Sequence, residues 1–178
     1  MTHHHLKKME LTHSDLVERA VRWLRGKGCR LILHEPFRTP LAEQPDAIGW
    51  RDGLSILVEA KASRADFLLD HGKPWRMVPG RGMGDWRFFM TPAGLVKPEE
   101  LPQGWGLLEV GARRVRTVTG GPRGNLWWDG VPFLESNKRQ ETMLLASALA
   151  QPTARPRPPA TPRRGIDVEA WAKVPIEQ

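Results

Sequence analysis

Residues 44–61 read Gln-Pro-Asp-Ala-Ile-Gly-Trp-Arg-Asp-Gly-Leu-Ser-Ile-Leu-Val-Glu-Ala-Lys, and this stretch decides the fold. Ala47–Trp50 and Leu54–Ala60 predict two strands, because each is a short, largely apolar run bounded by turn residues. Asp52-Gly53 between them is a strong hairpin signal, since the tightest two-residue turns need a positive φ at both central positions. Counting outward from that turn pairs Arg51 with Leu54, Trp50 with Ser55, and Asp46 with Glu59. Opposed side chains share a sheet face with Cβ atoms roughly 4.5–5.5 Å apart. Lys61 lies two residues beyond Glu59 and so shares that face. Two carboxylates and one lysine thus converge from strand arithmetic alone.

Carboxylates this close repel each other unless positive charge sits between them. A hard divalent cation suits oxygen ligands and keeps several waters. Beside a phosphodiester it offsets charge on the phosphoryl oxygens, while a lysine stabilises the negative charge that develops. The competing reading is a cross-strand salt bridge on an exposed face. Ile56, Leu57 and Val58 speak against it, because they predict a largely buried strand, where an unneutralised charge cluster is costly.

Working outward, residues 12–25 predict a helix capped by Thr12, with Asp15 completing a capping box. Leu16, Val17, Ala20, Val21 and Leu24 form its apolar stripe, and Gly26 and Gly28 stop it. Arg30–Glu35 predicts a strand and Pro36–Pro45 a loop. Ser63 opens a second helix, to about Asp70, with Asp66 in capping-box position. A Gly- and Arg-containing loop follows at 71–85. Strands at Trp86–Met90 and Trp105–Val110 are joined by a helical turn near Lys97–Leu101, and Arg113–Val118 adds an edge strand. Asn137–Leu149 predicts a last helix with Met143, Leu144, Ala148 and Leu149 on one side. The whole predicts an α/β fold, a central mixed β-sheet flanked by helices, over residues 12–150. Residues 151–165 hold five prolines and four arginines without an acid, which predicts a flexible linker. A C-terminal tail occupies 166–178.

The chain's 178 residues carry a net charge of +7, of which residues 1–150 hold +5, so the body itself is basic. That balance favours a polyanion partner. With no tyrosine, recombinases and topoisomerases that work through phosphotyrosine are excluded. No GxxxxGK[ST] run marks a P-loop ATPase. Cys29 is alone and His13, His34 and His71 are scattered, which does not make the usual zinc spacings. His3, His4 and His5 are given no role. The absence of a long apolar run predicts no membrane span, and the single cysteine fits a reducing cytoplasm.

Pro45-Asp46 followed by Glu59-Ala60-Lys61 resembles the PD-(D/E)xK signature of restriction-endonuclease-like nucleases. The longer run ILVEAKASRADFLLD…DWRFFMTPAGL…ELPQGWGLLEV is similar to MmcB-type DNA repair proteins, over roughly residues 12–110. The resemblance implies a restriction-endonuclease-like core, Mg²⁺ or Mn²⁺ as cofactor, and hydrolysis of DNA phosphodiesters in repair or phage DNA metabolism. It implies Asp46, Glu59 and Lys61 as catalytic residues. Asp46, Glu59, the Ala60 carbonyl and the helical Glu18 are implied as metal ligands. The chain departs from MmcB-type proteins at Gln44-Pro45-Asp46, where those have Arg-Ala-Asp or similar, and in a longer, Gly- and Arg-richer 72–85 loop. A non-catalytic nucleic-acid-binding module and an RNA nuclease are the alternatives, and a homodimer is left open.

Secondary candidates each carry two readings. Glu18 is either a metal ligand or a surface partner of Arg22 at i, i+4. Gln44 either orders a water or phosphate or is an exposed loop residue. Asp66 reads better as a cap than as a site residue. Arg64, Lys73, Arg76 and Arg81 are expected to contact phosphate, with Trp75 and Trp86 divided between base stacking and core packing. Gly80, Gly82 and Gly84 read as flexibility rather than a phosphate loop. Arg113, Arg114 and Arg116 read as edge protection or DNA contact.

Overall fold

The turn at Asp52-Gly53 forms as expected, with φ of 48° and 82°. It sets the register of β2 (Ala47–Arg51) against β3 (Leu54–Ala60): Arg51 pairs with Leu54, Trp50 with Ser55, and Ala47 with Val58. The computed structural model describes residues 11–36 and 41–150; the expected linker at 151–165, the tail at 166–178 and part of the 36–45 loop lie outside them. From the hairpin the sheet grows both ways. β1 (Leu31–His34) adds antiparallel to β2. β4 (Trp86–Pro92) and β5 (Gly106–Val110) add parallel beyond β3, and β6 (Val115–Thr119) closes the far edge antiparallel to β5. The order β1-β2-β3-β4-β5-β6 makes a six-stranded mixed sheet.

Every residue of β3 is buried because both faces of the sheet are covered. On one face Ala47, Ile56, Val58, Ala60, Phe88 and Leu108 pack under α1 (His13–Gly26), which contributes Leu16, Val17, Ala20 and Leu24. On the other, Ile48, Leu57, Phe89 and Leu107 meet Phe67 of α2 (Arg64–Asp70) and Leu144 of α4 (Lys138–Ala150). Thr12 and Asp15 form the expected capping box of α1. Ser63 Oγ accepts from the Asp66 N–H, so Asp66 occupies its capping position. A Cβ at Gly49 would sit 2.9 Å from Cys29 Cβ and Sγ, so glycine is what lets β2 approach the end of α1.

Three expectations need correction. The 71–85 segment is not a bare loop: it holds a short α3 (Pro74–Met77) and a 3₁₀ turn at Pro79–Arg81. In α4 the inward side is Glu141 and Leu144, whereas Met143 and Leu149 are 43% and 86% exposed. Glu141 is drawn in by polar partners: it accepts from Ser55 Oγ at 2.8 Å, the Gly84 N–H at 2.9 Å and Trp50 Nε1 at 3.2 Å. The edge strand starts two residues later than expected, at Val115. No helix among the described residues is long and apolar enough to cross a membrane.

Candidate active site and metal centre

Asp46 stands one residue before β2, at the end of the sheet where Glu59 and Ala60 finish β3. Continuing the observed ladder by one pair sets it opposite Glu59. Its Oδ2 accepts from the Ala60 N–H at 2.7 Å, which ties the carboxylate to the end of β3. Lys61 Nζ lies 3.2 Å from Glu59 Oε2 and 4.0 Å from Asp46 Oδ2. The three residues that strand arithmetic brings together are therefore together, around one buried ammonium.

Beneath them is a set of buried ion pairs. Arg76 reaches Glu43 Oε1 at 3.2 Å, Glu59 Oε1 at 3.0 Å and Asp70 Oδ2 at 2.5 Å, with its guanidinium 4.5 Å above the Trp105 ring. Asp70 also takes Lys61 Nζ at 3.3 Å and Lys73 Nζ at 2.5 Å. Glu43 Oε2 accepts from the Met83 N–H at 2.7 Å. Each oxygen of Glu59 thus faces a protein cation.

The electrostatics follow from burial set against these partners. Burial, followed by repulsion from Glu59, pushes the Asp46 carboxyl up to about 7. Burial likewise pushes Glu43 up to about 7. Asp70 goes the other way: burial opposes its charge, but Arg76, Lys61 and Lys73 outweigh it and hold the carboxyl down at about 2. Burial also works against the Lys61 ammonium, and Glu59, Asp46 and Asp70 together overcome it and raise its pKa.

On the α1 side of the same sheet end lies a second group. His13 Nε2 is 2.6 Å from Glu35 Oε1 and 3.7 Å from Asp46 Oδ1. One donor atom from each residue falls within 4.8 Å of the other two. The Glu35 N–H donates to the Asp46 carbonyl at 3.1 Å, which fixes the two carboxylate residues to each other. Asp46 therefore serves two sides, Oδ2 toward Lys61 and Oδ1 toward His13. A cavity of about 500 Å³ opens beside Glu35, lined also by Ser14, Val17 and Glu18.

The expected nucleic-acid contacts fare differently. Arg76 is corrected: its side chain is 1% exposed and held by three carboxylates, which puts it out of reach of a phosphate on the surface. Lys73 is 40% exposed while paired to Asp70. Arg64 pairs with Glu100 on the surface, and Arg81 is exposed, with its carbonyl accepting from Asn137. Glu18 is paired with Arg22 at 3.5 Å and lies outside the His13–Glu35–Asp46 group, although it borders the same cavity. Gln44 is exposed and donates to the Leu41 carbonyl.

Sequence reasoning missed His13, Glu35, Glu43 and Asp70. Asp70 had a local signal: an acid on the last residue of a helix runs against the helix dipole, so something else must hold it. The other three had none, because their partners come from other elements.

No family model matches the chain, and no curated protein matches it. Among solved structures, SPO1766, a protein of unknown function from Silicibacter pomeroyi, is similar in fold. The two share 24% sequence identity at a TM-score of 0.52, over 79% of this chain and 87% of that one.

Proposed function

We propose that the protein is a divalent-metal-dependent nuclease with a restriction-endonuclease-like core, hydrolysing DNA phosphodiester bonds through Asp46, Glu59 and Lys61. The observation that carries this reading is the convergence of Asp46 Oδ2 and Glu59 Oε2 on the single ammonium of Lys61. A purely structural lysine has no need of two buried carboxylates and a third, Asp70, around it.

The donors suit a divalent cation at Asp46, whose Oδ1 faces outward to His13 and Glu35. Mg²⁺ or Mn²⁺ held there would supply Lewis-acid charge beside a phosphodiester. Lys61 then stabilises the negative charge that develops on the phosphoryl oxygens. Glu59 and Asp70 hold the ammonium in place from two sides, and Arg76 braces both carboxylates. Substrate phosphates are met by exposed cations: Lys73, which pairs with Asp70 of the network, and Arg64 and Arg81. The lone, buried Cys29 accords with a cytoplasmic setting.

A second reading is a nucleic-acid-binding module without catalysis. One observation favours it: both oxygens of Glu59 already face protein cations, so this part of the network stands without an added ion. Cleavage of single-stranded, double-stranded and branched DNA, and of RNA, in Mg²⁺ or Mn²⁺ separates the two. Asp46→Asn and Lys61→Ala should each lower metal-dependent cleavage by about 10²–10³-fold, the usual loss for one preorganised electrostatic contact. Wild-type cleavage by well-folded Asp46→Asn protein would show that the active site lies elsewhere. Binding without cleavage of any of these substrates would favour the module.

A further inference from the structure

We propose that the ion is bound by His13, Glu35 and Asp46, and that Glu59 is no ligand but the anchor of Lys61 and Arg76. Its use in catalysis rests on the nuclease reading; its existence does not. Three donors arrive from three places: the first turn of α1, the residue after β1 and the residue before β2. They are not adjacent in sequence, yet their atoms lie within 4.8 Å of one another. One cation with bonds of about 2.0–2.2 Å spans such a set with small side-chain adjustments.

The placement of each donor is independently fixed. The Thr12–Asp15 capping box sets the start of α1 and with it His13. The Glu35 N–H to Asp46 carbonyl bond sets the two acids. The Ala60 N–H turns Asp46 Oδ2 inward and so leaves Oδ1 toward His13. Glu59 offers the opposite situation. It is 2% exposed, with Lys61 on one oxygen and Arg76 on the other. A metal ion there would have to displace a buried ammonium or guanidinium, leaving a desolvated charge without its partner.

Access separates the two places as well. His13 and Glu35 side chains are 40% and 39% exposed, and Glu35 also borders a cavity of about 500 Å³, so solvent reaches this group. The donor set also selects the ion. One imidazole with two carboxylates ranks Mn²⁺, a divalent first-row transition ion, ahead of Mg²⁺, which prefers all-oxygen sites.

The test uses the full chain, Mn²⁺ as probe, and two readouts: calorimetric titration and pulsed EPR sensitive to nitrogen on the bound ion. Wild-type protein should bind one Mn²⁺ at this site and show imidazole nitrogen coupling. His13→Ala should abolish that coupling and weaken this binding at least about tenfold, a loss of about 1.4 kcal/mol. Glu35→Gln should weaken it comparably, and Glu59→Gln should leave the nitrogen signal in place. His3, His4 and His5 stay in every variant, so the difference between variants is what counts. His13 is partly exposed, so its truncation leaves the core intact, and circular dichroism verifies this. Mn²⁺ binding unchanged by His13→Ala, or a nitrogen signal lost in folded Glu59→Gln but kept in His13→Ala, would overturn the assignment. Nitrogen-coupled Mn²⁺ without cleavage of any nucleic acid would uphold the site and sink the nuclease reading. Metal-dependent cleavage with no nitrogen coupling would do the reverse.

Discussion

Replacing Arg76 with methionine would remove the one cation shared by Glu43, Glu59 and Asp70 while keeping much of the aliphatic volume. All three carboxylates are essentially inaccessible, at 1%, 2% and 1% exposure. Removing one partner from a buried ion pair costs about 3–5 kcal/mol, because the charge left behind is neither solvated nor paired. The guanidinium also leaves the Trp105 face, a contact worth about 0.5–2 kcal/mol. Lys61 and Lys73 still hold Asp70, and protonation of a carboxylate relieves part of the strain, so about 4 kcal/mol is the expected loss. Urea unfolding followed by tryptophan fluorescence reads it: with a slope of about 2 kcal/mol/M the midpoint should fall by about 2 M.

The pH dependence of that loss has a definite sign. In the wild type Asp70 is held at about 2, below its ordinary 3.8. Its contribution is therefore present above pH 3.8 and is lost as pH falls through 2. Without Arg76 much of that depression disappears. The gap between wild type and Arg76→Met should be widest near pH 7 and narrow below about pH 4. Arg76→Lys, which keeps the charge but loses the fork, should fall between them. A loss under about 1 kcal/mol, or a gap constant from pH 7 to pH 3, would refute the account of Arg76 as the keystone of this network.

Asp46→Asn should make the metal-free protein more stable at pH 8, by about 1–2 kcal/mol, because the carboxyl is destabilised by burial and by Glu59. Since Asp46 is raised to about 7, its favourable contribution is present at low pH and lost as pH rises through 7, so the gain should fade below about pH 6. Thermal melts at pH 5 and pH 8 check this, and a stabilisation larger at pH 5 would contradict it. Asp85→Ala should loosen α4 from the sheet, because Asp85 accepts from the Ser55 N–H at 2.8 Å, Ser136 Oγ at 2.7 Å and Lys138 Nζ at 2.6 Å. A loss of about 2–3 kcal/mol is expected for stranding buried donors, read by urea unfolding together with faster amide exchange in α4; unchanged exchange there would count against it.

What was legible in the sequence was what local rules control. Asp52-Gly53 sets a two-residue turn, the turn sets the register, and the register sets Asp46 opposite Glu59. The unbroken Leu54–Ala60 run announced a strand covered on both faces, and Thr12 with Asp15 announced the start of α1. What was illegible depends on partners distant in the chain. Arg76, beside Trp75 in a segment rich in Gly and Arg, has the composition of a surface phosphate contact. Only Glu43, Glu59 and Asp70, converging through the tertiary fold, make it a buried residue. In α4 the apolar residues suggested a face through Met143 and Leu149, but the polar groups of Ser55, Gly84 and Trp50 drew Glu141 inward instead. His13 was weighed only against other histidines and cysteine. Its neighbours are carboxylates from beyond β1 and before β2, which no zinc spacing would find.

The charges at the end of the sheet divide in a way that bears on where an added cation belongs. Five carboxylates gather there: Glu35, Glu43, Asp46, Glu59 and Asp70. Arg76 takes three of them, Glu43, Glu59 and Asp70, and the ammonium groups of Lys61 and Lys73 both close on Asp70, with Lys61 also on Glu59. Asp46 has Lys61 at 4.0 Å and shares His13, at 3.7 Å, with Glu35. The deficit of positive charge therefore falls on the Glu35–Asp46 pair, on the side open to solvent. A divalent ion bound there removes the deficit without disturbing a single buried ion pair.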